Sequence, residues 1–375
     1  MNAMGIVFSY VDEDNLKELT EHRALASVPF GGRYRVIDFV LSNLVNSGVS
    51  NVGVITQSNY QSLLDHLGSG KEWDLSRKRD GLFILPPFAA RTAPLGGSGV
   101  AFRGWLEALA SVYTYIRRSK ARHVILCGCE TIGNIDLEEV VNRHIETEAD
   151  ITCVYRKADL TADTRHHVTY EVDAEGRIQT MLYRPAVTGA ANVDMGLFVM
   201  EKSFLETLVS EAAARNNYSL FKDVIQRRVG EYRIYGYEFG GTAFRIDSVK
   251  AYFNANMAML DPAVRSCLFL GERPVFTKVR DEVPAHYTQS ARVRNSLLAD
   301  GCVIEGEVEN SILFRGVFVE RGAVVKNSIV MQGSVIQRDV QLNYAIVDKD
   351  ALIRSGRMLM GYESHPVMIE KATVV

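Results

Sequence analysis

The sequence predicts an α/β domain with a mainly parallel sheet, followed by a parallel β-helix. In the first two thirds of the chain, apolar runs of about five residues alternate with amphipathic segments, as strands alternate with crossover helices. After about residue 290, a short aliphatic residue recurs at roughly every sixth position, with Gly or Asn between. The chain has 375 residues, and a single core rarely exceeds about 300, so two domains are expected.

Individual elements of the first domain follow from the same periodicities. The apolar residues of 36–45 recur at helical spacing, and Gly48 is a suitable helix end. Apolar residues from Leu106 to Ile116 line one face of a single predicted helix. The remaining predicted elements are strands at 4–8, 51–56, 123–129 and 151–156, and a helix at 137–147.

The β-helix prediction depends on Asn-Ser pairs, which begin at Asn295, Asn310 and Asn327. Asn343-Tyr344 occupies the next equivalent place. Each coil of a β-helix needs inward aliphatic residues on its flat faces, and corner residues that tolerate unusual backbone angles. The predicted boundaries are 1–265 for the α/β domain, 266–289 for a Pro-containing linker, and 290–375 for the β-helix.

The amino-acid composition limits the kinds of molecule that this protein is expected to bind. The net charge is -3, from 42 basic and 45 acidic residues, so no electrostatic attraction to nucleic acid or an anionic membrane is expected. No apolar run reaches the roughly 18 residues that span a bilayer, and no signal peptide is recognisable. We therefore expect a soluble, cytoplasmic protein whose partners are small ligands and other proteins.

The five cysteines are scattered without CxxC spacing, which argues against a disulfide framework or a zinc site. All five are predicted to be buried thiols in a reducing cytosol. Cys127 and Cys129 lie two residues apart on one predicted strand and are interpreted as packing residues, because a disulfide between them would strain the strand.

Several ordered motifs carry a family resemblance. They are RALASVPFGGRYRVIDFVLSNLVNSG, VGVITQ, KEWDLSRKRDGLFILPP, VDMGLFVM, YSLFKDVI and AYFNANMAML, ahead of the β-helix. Together they resemble the bacterial glucose-1-phosphate adenylyltransferases, or ADP-glucose pyrophosphorylases, of glycogen synthesis over nearly the whole chain. The resemblance implies a nucleotidyltransferase-like, Rossmann-like domain and a left-handed β-helix. It also implies a reaction of ATP with glucose-1-phosphate that depends on cations and on Mg²⁺ held by two carboxylates.

The phosphate-binding loop of that family is altered here. Aligning its GGxGxRLxxLT motif places Tyr10, Val11 and Glu13 at the glycines, whose role is to let backbone N–H groups approach phosphate oxygens. Asn15 falls where the family has its catalytic arginine, and Leu25 replaces the lysine of RAKPA. Each missing cation is worth on the order of 3 kcal/mol of transition-state stabilisation.

The two Mg²⁺ positions are altered as well. By the resemblance, Cys129 and Arg245 take the places of the two carboxylates. A thiol is a poor ligand for a hard cation such as Mg²⁺, and a guanidinium group repels it. The alternative is that Glu130 and Asp247 stand in, although side chains one residue away on a strand point to the other face.

The substrate pockets are also changed. Trp105, Leu106 and Glu107 replace small residues beside which the family stacks adenine, and their bulk is expected to fill that pocket. The family's FVEKP becomes MLYRP, so Tyr183 replaces a glutamate and Arg184 a lysine. Arg184 could still hold a phosphate.

Arg33 and Arg35 form a candidate anion or effector site, because Arg33 aligns with a family lysine associated with sugar-phosphate activators. A guanidinium group offers two parallel donors to such an anion. The alternative is that both side chains pair with helix carboxylates or lie in solvent. Arg280 is a weaker candidate.

The resemblance is strongest to the non-catalytic, GlgD type of subunit. It implies a regulatory, catalytically impaired chain that joins a catalytic subunit in a mixed tetramer, with a possible sugar-phosphate effector. No cofactor is then expected in this chain, since Mg²⁺ belongs to the catalytic partner. A slow adenylyltransferase with a rebuilt site is one alternative. A β-helix acyltransferase is another, less favoured because His365 is the lone histidine near the end.

Overall fold

The computed structural model describes residues 1–10, 16–86, 102–161, 167–183, 188–269 and 271–375. The described residues divide into two compact units. Unit 1 contains residues 1–10 and the described part of 39–243. Unit 2 contains 16–38 and the described part of 244–375. The segment 16–38 therefore packs with the C-terminal third of the chain.

The helices and the first thirteen strands have the following bounds. The α-helices are α1 (Lys17–Thr20), α2 (Val36–Asn46), α3 (Gln61–Leu67), α4 (Trp105–Ser111), α5 (Tyr113–Arg118), α6 (Leu137–Glu146), α7 (Lys202–Arg215), α8 (Val249–Ala258) and α9 (Pro262–Phe269). Short 3₁₀ helices cover Leu25–Ser27 and Lys71–Trp73, and a π-helix covers Leu220–Gln226. The strands are β1 (Ala3–Phe8), β2 (Pro29–Phe30), β3 (Tyr34–Arg35), β4 (Asn51–Ile55), β5 (Gly81–Leu85), β6 (His123–Gly128), β7 (Thr131–Gly133), β8 (Ile151–Leu160), β9 (Val168–Val172), β10 (Ile178–Tyr183), β11 (Gly189–Glu201), β12 (Ile234–Glu238) and β13 (Ala243–Arg245).

Unit 1 is built on a nine-stranded mixed sheet with the path β10-β9-β11-β6-β1-β4-β5, and β8 joins β11 to β12. β5, β4, β1 and β6 run parallel, whereas β11 runs antiparallel to β6 and β8. β1 is buried along its whole length, which explains its unbroken apolar sequence. A Cβ on Gly5 would lie 2.9 Å from Leu44, so glycine lets α2 approach β1 closely. The predicted α/β domain is confirmed.

Two local predictions for unit 1 are wrong. The single helix predicted over 106–116 is two helices, because the backbone leaves helical geometry at Val112, with φ -108° and ψ 15°. Leu106, Leu109 and Ile116 nevertheless join the same buried core, which is why the apolar pattern runs across the break. The strand predicted to end at residue 156 continues to Leu160, because β11 pairs with it along that extension.

The C-terminal part of unit 2 is the predicted left-handed parallel β-helix, with three five-stranded parallel sheets. The first sheet contains β14 (His286–Tyr287), β17 (Val303–Ile304), β20 (Phe318–Val319), β23 (Val335–Ile336) and β26 (Leu352–Ile353). The second contains β15 (Arg292–Arg294), β18 (Glu307–Glu309), β21 (Val324–Lys326), β24 (Gln341–Asn343) and β27 (Met358–Met360). The third contains β16 (Leu297–Leu298), β19 (Ile312–Leu313), β22 (Ile329–Val330), β25 (Ala345–Val347) and β28 (Val367–Ile369).

The corners of the β-helix follow the predicted Asn-Ser pairs for three coils. Asn295, Asn310 and Asn327 have φ values of 41°, 48° and 44°, a left-handed conformation that asparagine tolerates. The predicted equivalence of Asn343 is wrong by one position. Asn343 ends β24 opposite Lys326, and Tyr344 occupies the corner, with φ 51°.

Buried polar contacts hold the segment 16–38 within unit 2. Arg23 and Asp348, which are 3% and 1% exposed, form an ion pair of 2.6 Å. The Tyr252 hydroxyl donates to the Pro29 carbonyl at 2.7 Å, and the Gly31 amide donates to Asn256 Oδ1 at 2.9 Å. These contacts tie the segment to α8 and to the β-helix.

The structure contradicts one cysteine prediction. Cys127, Cys129, Cys153 and Cys302 are buried, but Cys267 is exposed. Cys267 lies on α9, where only Leu268 is buried, so most of that helix surface faces solvent. None of the described helices is long and apolar enough to cross a membrane.

Candidate functional site

The candidate site of unit 1 lies where β1 and β6 end. These parallel strands are adjacent, and Phe8 of β1 is opposite Gly128 of β6. Tyr10 follows β1, and Cys129 follows β6, so both lie at the carboxyl edge of the sheet, where α/β folds bind ligands. Val11, Glu13 and Asn15 lie outside the described residues.

Cys129 is fully buried at this edge. Burial raises the pKa of its thiol well above the usual value, and the charge of Glu130 raises it further. The pKa of the Cys127 thiol is raised for the same reasons. Both thiols are therefore neutral at physiological pH, and a neutral thiol does not replace the carboxylate that Mg²⁺ prefers.

Glu130, the alternative metal ligand, is also buried, with 5% of its surface exposed. A Cβ on Gly128 would overlap Glu130 Oε2, and a Cβ on Gly196 would lie 2.8 Å from Oε1. The two glycines thus make room for the Glu130 carboxylate against the backbone. In the part of the chain that the structure describes, no group of three or more His, Cys, Asp or Glu side chains could hold a metal ion. That Mg²⁺ does not bind at this edge remains a prediction.

Trp105 belongs to a cluster of four aromatic side chains, which we call the aromatic cluster. The indole is 4% exposed and stacks on Phe8, with ring centroids 3.9 Å apart and planes 13° apart. Its edges contact Phe198 and Phe221 at centroid distances of 5.7 and 5.6 Å. The indole therefore fills space next to the end of β1. That it excludes adenine remains a prediction.

The two residues after Trp105 have different surroundings. Leu106 is buried in the core of unit 1. Glu107 accepts hydrogen bonds of 2.7 Å from the amide and from Nη2 of Arg103, whose guanidinium carbon lies 3.4 Å from the Tyr218 ring centroid. Burial acts to raise the pKa of Glu107, but the hydrogen bonds and charge of Arg103 outweigh it and lower the pKa.

On the predicted sugar side, Lys222 of the YSLFKDVI motif lies over Tyr183, with Nζ 4.3 Å from the ring centroid. The Tyr183 ring, which the resemblance aligns with a family glutamate, therefore contacts a lysine by a cation–π interaction. Arg184, the candidate phosphate ligand, lies outside the described residues.

Two further predicted positions belong to unit 2. Leu25 begins the 3₁₀ helix Leu25–Ser27 and is 2% exposed, so it is a packing residue. Arg245 Nε lies 3.6 Å from Asp247 Oδ2. Asp247, the alternative to a carboxylate at 245, therefore already faces a guanidinium group.

Comparisons with known proteins agree with this fold. The Nucleotidyl transferase family model matches residues 14–261, and the GlmU-like, C-terminal hexapeptide model matches residues 282–365. The glycogen biosynthesis protein GlgD of Bacillus subtilis (strain 168) is 35% identical over 99% of this chain and 96% of that protein. This chain belongs to the nucleotidyl transferase family, in the group that contains GlgD.

The chain is also similar to a second GlgD protein and to an enzyme. GlgD of Geobacillus stearothermophilus is 38% identical over 86% of this chain and 82% of that protein. The glucose-1-phosphate adenylyltransferase of Thermosipho melanesiensis is 30% identical over 87% of this chain and 78% of the enzyme. Membership in the GlgD group therefore does not decide whether this chain is catalytically active. That question depends on the residues of the site.

Within unit 2 of this GlgD-group protein, Arg33 and Arg35 lie on the hairpin of β2 and β3. Gly31 and Gly32 have φ values of 61° and 82°, which glycine adopts without strain. The Tyr34 ring stacks on Phe269 at 4.8 Å. Arg33 is exposed and Arg35 half-buried, and the Arg35 amide donates to Asp38 Oδ2 at 2.9 Å.

The structure adds Arg315, which the sequence did not single out. Arg315 is only 8% exposed, and its Nε and Nη2 atoms have no hydrogen-bond partner among the described residues. Burial lowers its pKa, and the charges of Arg33 and Arg280 lower it further, whereas the charges of Asp300 and Glu282 act in the opposite direction. We call Arg33, Arg280 and Arg315 the arginine cluster.

Lys349 extends this positive region. Burial lowers its pKa to about 7, as do the nearby charges of Arg35, Arg23 and Lys371, while Asp348 acts in the opposite direction. Hydrogen bonds from Gly333 N to Arg315 O, and from Asp350 N to Gln332 O, place Arg315 and Lys349 at one corner, two coils apart. In the sequence, only the regular coil spacing pointed to this corner. Its positive charge becomes evident only when the structure places Arg33 near Arg315.

Proposed function

We propose that this chain is a regulatory, catalytically impaired subunit of glucose-1-phosphate adenylyltransferase in glycogen biosynthesis. It modulates the activity and effector response of a catalytic partner that makes ADP-glucose from ATP and glucose-1-phosphate. The observation that carries this proposal is Cys129, a buried neutral thiol at the end of β6, where the family has an Mg²⁺ carboxylate. Mg²⁺ then acts in the catalytic partner and not in this chain.

Other features support the same conclusion. The aromatic cluster occupies the carboxyl edge of the sheet, Leu25 supplies no cation, and Arg245 replaces the second carboxylate. The core around these residues is intact, with β1 and β6 fully buried. A chain that had simply lost function would be expected to lose packing and site together, so selection for a folded, non-catalytic role explains the pattern better.

The arginine cluster is the proposed effector site. A buried guanidinium group with N–H groups that lack hydrogen-bond partners is costly, and a bound anion would offset that cost. Arg315 provides such a group, Arg33 and Arg280 are exposed beside it, and Arg35 and Lys349 add positive charge. A phosphate ester has the charge and the oxygen geometry that guanidinium groups recognise, so a sugar phosphate is the proposed effector.

The proposed partner is a catalytic glucose-1-phosphate adenylyltransferase subunit in a mixed tetramer. The test is to co-express this chain with such a subunit and to measure ADP-glucose formation against the concentration of a panel of sugar phosphates and inorganic phosphate. We expect the maximal rate or the half-saturating effector concentration to differ from that of the catalytic subunit alone. Identical kinetics with and without this chain would contradict the regulatory role.

A further inference from the structure

A cavity of about 570 Å³ opens in unit 1, at the edge of the sheet opposite to the candidate site. His123, which begins β6, and Glu201, which ends the antiparallel strand β11, both line it. The candidate site, in contrast, lies where β6 ends. Small-molecule sites usually have volumes of about 300–1,000 Å³. The cavity therefore has the size of a ligand site, and it is separate from the altered carboxyl edge.

Two buried histidines line this cavity. His123 is 5% exposed and His144 is 2% exposed, and their rings meet edge to face with centroids 5.6 Å apart. His144 Nδ1 lies 2.9 Å from the Thr152 hydroxyl, and this hydrogen bond fixes the orientation of the ring. A buried polar ring costs free energy unless its nitrogens find partners, so its place beside a cavity indicates polar contacts with a ligand.

Both histidines are neutral at physiological pH. Burial and the charge of His123 lower the pKa of His144 to about 4, against the opposing charges of Glu201 and Asp150. Burial and the charge of Arg122 lower the pKa of His123, although Glu201 and a hydrogen bond to the Asn2 backbone act in the opposite direction. A neutral imidazole has one donor and one acceptor nitrogen, which suits a hydroxyl group, itself both donor and acceptor.

The charged side chains of the lining are paired with one another. Arg122 Nη2 lies 3.0 Å from Glu201 Oε1, and Arg233 lies 3.2 Å from Asp150 Oδ1 and 3.4 Å from Glu148 Oε2. The lining thus combines two guanidinium groups with three carboxylates, so it does not attract a phosphate or another anion. Each paired group keeps further N–H groups or oxygen lone pairs for a neutral polar ligand.

Apolar surface lies beside these polar groups. Ile145 is 53% exposed, and Phe204 is half-buried with its ring edge to face with Tyr232, at a centroid distance of 5.1 Å. Both Ile145 and Phe204 line the cavity. A pyranose ring has an apolar C–H face and a rim of hydroxyl groups, so it can cover the apolar surface and bond to the paired polar groups at the same time.

Glu148 adds evidence that the cavity is a built site. It follows Thr147, the C-cap of α6, and its φ is 46°. Glycine is common at this position of a helix end, because a side chain in the left-handed conformation costs about 1–2 kcal/mol. The glutamate instead places a carboxylate at the cavity, beside Arg233. Strained positions of this kind concentrate at functional sites.

We propose that this cavity, lined by His123, His144 and the ion pairs of Arg122 and Arg233, binds a neutral saccharide. The imidazole, guanidinium and carboxylate groups bond to its hydroxyl groups, and its C–H face packs on Phe204 and Ile145. The proposal does not depend on the regulatory role, because it involves neither the carboxyl edge of the sheet nor the arginine cluster.

The first test is saturation-transfer NMR on the full chain, with maltotriose, sucrose and glucose as neutral probes and glycylglycine as a zwitterionic one. We expect at least one saccharide to bind saturably, with a dissociation constant below about 10 mM, and glycylglycine not to bind. Inorganic phosphate is proposed to bind the arginine cluster, so it should not displace the saccharide.

The second test substitutes two carboxylates of the lining. Glu148→Gly relieves the left-handed strain, so its melting temperature should equal or exceed that of the wild type, while its dissociation constant for the saccharide should rise about tenfold. Glu201→Gln keeps the shape of the side chain and should also weaken binding. The matched control is Glu146→Gln, an exposed carboxylate of α6 that is not part of the lining and should bind like the wild type.

Three results would overturn the proposal. They are the failure of all three saccharides to bind, wild-type affinity in both Glu148→Gly and Glu201→Gln, and displacement of the saccharide by inorganic phosphate or glycylglycine. Any of them would leave the proposed regulatory function standing. Conversely, a catalytic partner whose kinetics did not respond to this chain would leave the saccharide site standing, so the two proposals can fail separately.

Discussion

The indole of Trp105 stacks on the ring of Phe8, with centroids 3.9 Å apart and an angle of 13° between the planes. Phe8 is the last residue of β1, and Trp105 is the first of α4. The stack therefore joins the end of a central strand to the start of a helix at the carboxyl edge. Phe198 and Phe221 complete the packing around the indole. A side chain predicted to fill a nucleotide pocket is thus also a core residue.

We predict that Trp105→Ala destabilises unit 1 by about 3–5 kcal/mol, because it removes a buried ring from a packed cluster and leaves a cavity. Urea unfolding, followed by circular dichroism, measures the free energy of unfolding. Trp105→Phe is the control and should lose less, since a smaller ring can still stack on Phe8. A loss below about 1 kcal/mol for Trp105→Ala would mean that the aromatic cluster is not an energetic part of the core.

Thiol reactivity tests the state of the cysteines. Reaction requires an accessible thiolate, and burial raises the pKa of Cys127, Cys129, Cys153 and Cys302. We predict that a chromogenic disulfide reagent at mildly alkaline pH titrates one thiol quickly in the folded protein, Cys267, and the other four only after unfolding. In Cys267→Ser the fast phase should vanish. Rapid reaction of a second thiol would contradict the burial of the carboxyl edge.

The sequence predicted the elements whose periodicity is set by burial. β1, β6 and α6 were found because their apolar residues face a core, and the β-helix because its aliphatic and Asn positions recur. The break at Val112 and the exposure of Cys267 were missed, because both depend on which tertiary neighbours cover a helix.

Some residues of the candidate site could likewise be predicted from the sequence, and others could not. Cys129 and Trp105 could be identified by residue type at motif positions. Arg315 could not, because its significance comes from a second segment, 31–35, that packs in the same unit. Patterns in a single sequence indicate the local spacing of residues. They do not indicate that a cation far away in the sequence, such as Arg33, lies beside Arg315 at a corner of the β-helix.

Anion binding tests the arginine cluster. Inorganic phosphate should raise the melting temperature of the wild type, because a ligand that binds only the folded state stabilises it. We predict that Arg315→Met and Arg33→Gln abolish most of this increase, while Arg321→Gln, an exposed arginine of the same β-helix, keeps it. Raising the sodium chloride concentration should weaken the effect through screening. An unchanged increase in Arg315→Met would contradict the assignment.

The lowered pKa of Lys349 predicts that the free energy of unfolding changes with pH in a defined direction. Its folded-state pKa of about 7 lies below that of about 10.4 for an unfolded lysine. Between these values the unfolded chain binds more protons, so this group makes the wild type more stable as pH rises. Lys349→Met should therefore be more stable than the wild type near neutral pH, and its advantage should shrink towards about pH 10. A constant difference in urea unfolding across that range would contradict the pKa shift.

Restoring one of the two predicted metal-binding carboxylates should not restore adenylyltransferase activity. Arg245→Asp removes a cation from one predicted metal position, but the buried thiol of Cys129 remains at the other predicted position. We predict no Mg²⁺-dependent pyrophosphate release from this variant, measured beside Arg321→Gln as a control for purification and contamination. Activity gained by Arg245→Asp alone would mean that the remaining residues already form a working site.

The most direct measurement is pyrophosphate release by the purified chain alone, supplied with ATP, glucose-1-phosphate and Mg²⁺, beside a catalytic relative assayed in parallel. With a neutral thiol at 129 and a guanidinium group at 245, the account predicts no release above the background without enzyme. Turnover within about tenfold of the catalytic relative would contradict it, because a difference of about 1.4 kcal/mol in the barrier is too small for a site that is predicted to lack the metal and the catalytic cations.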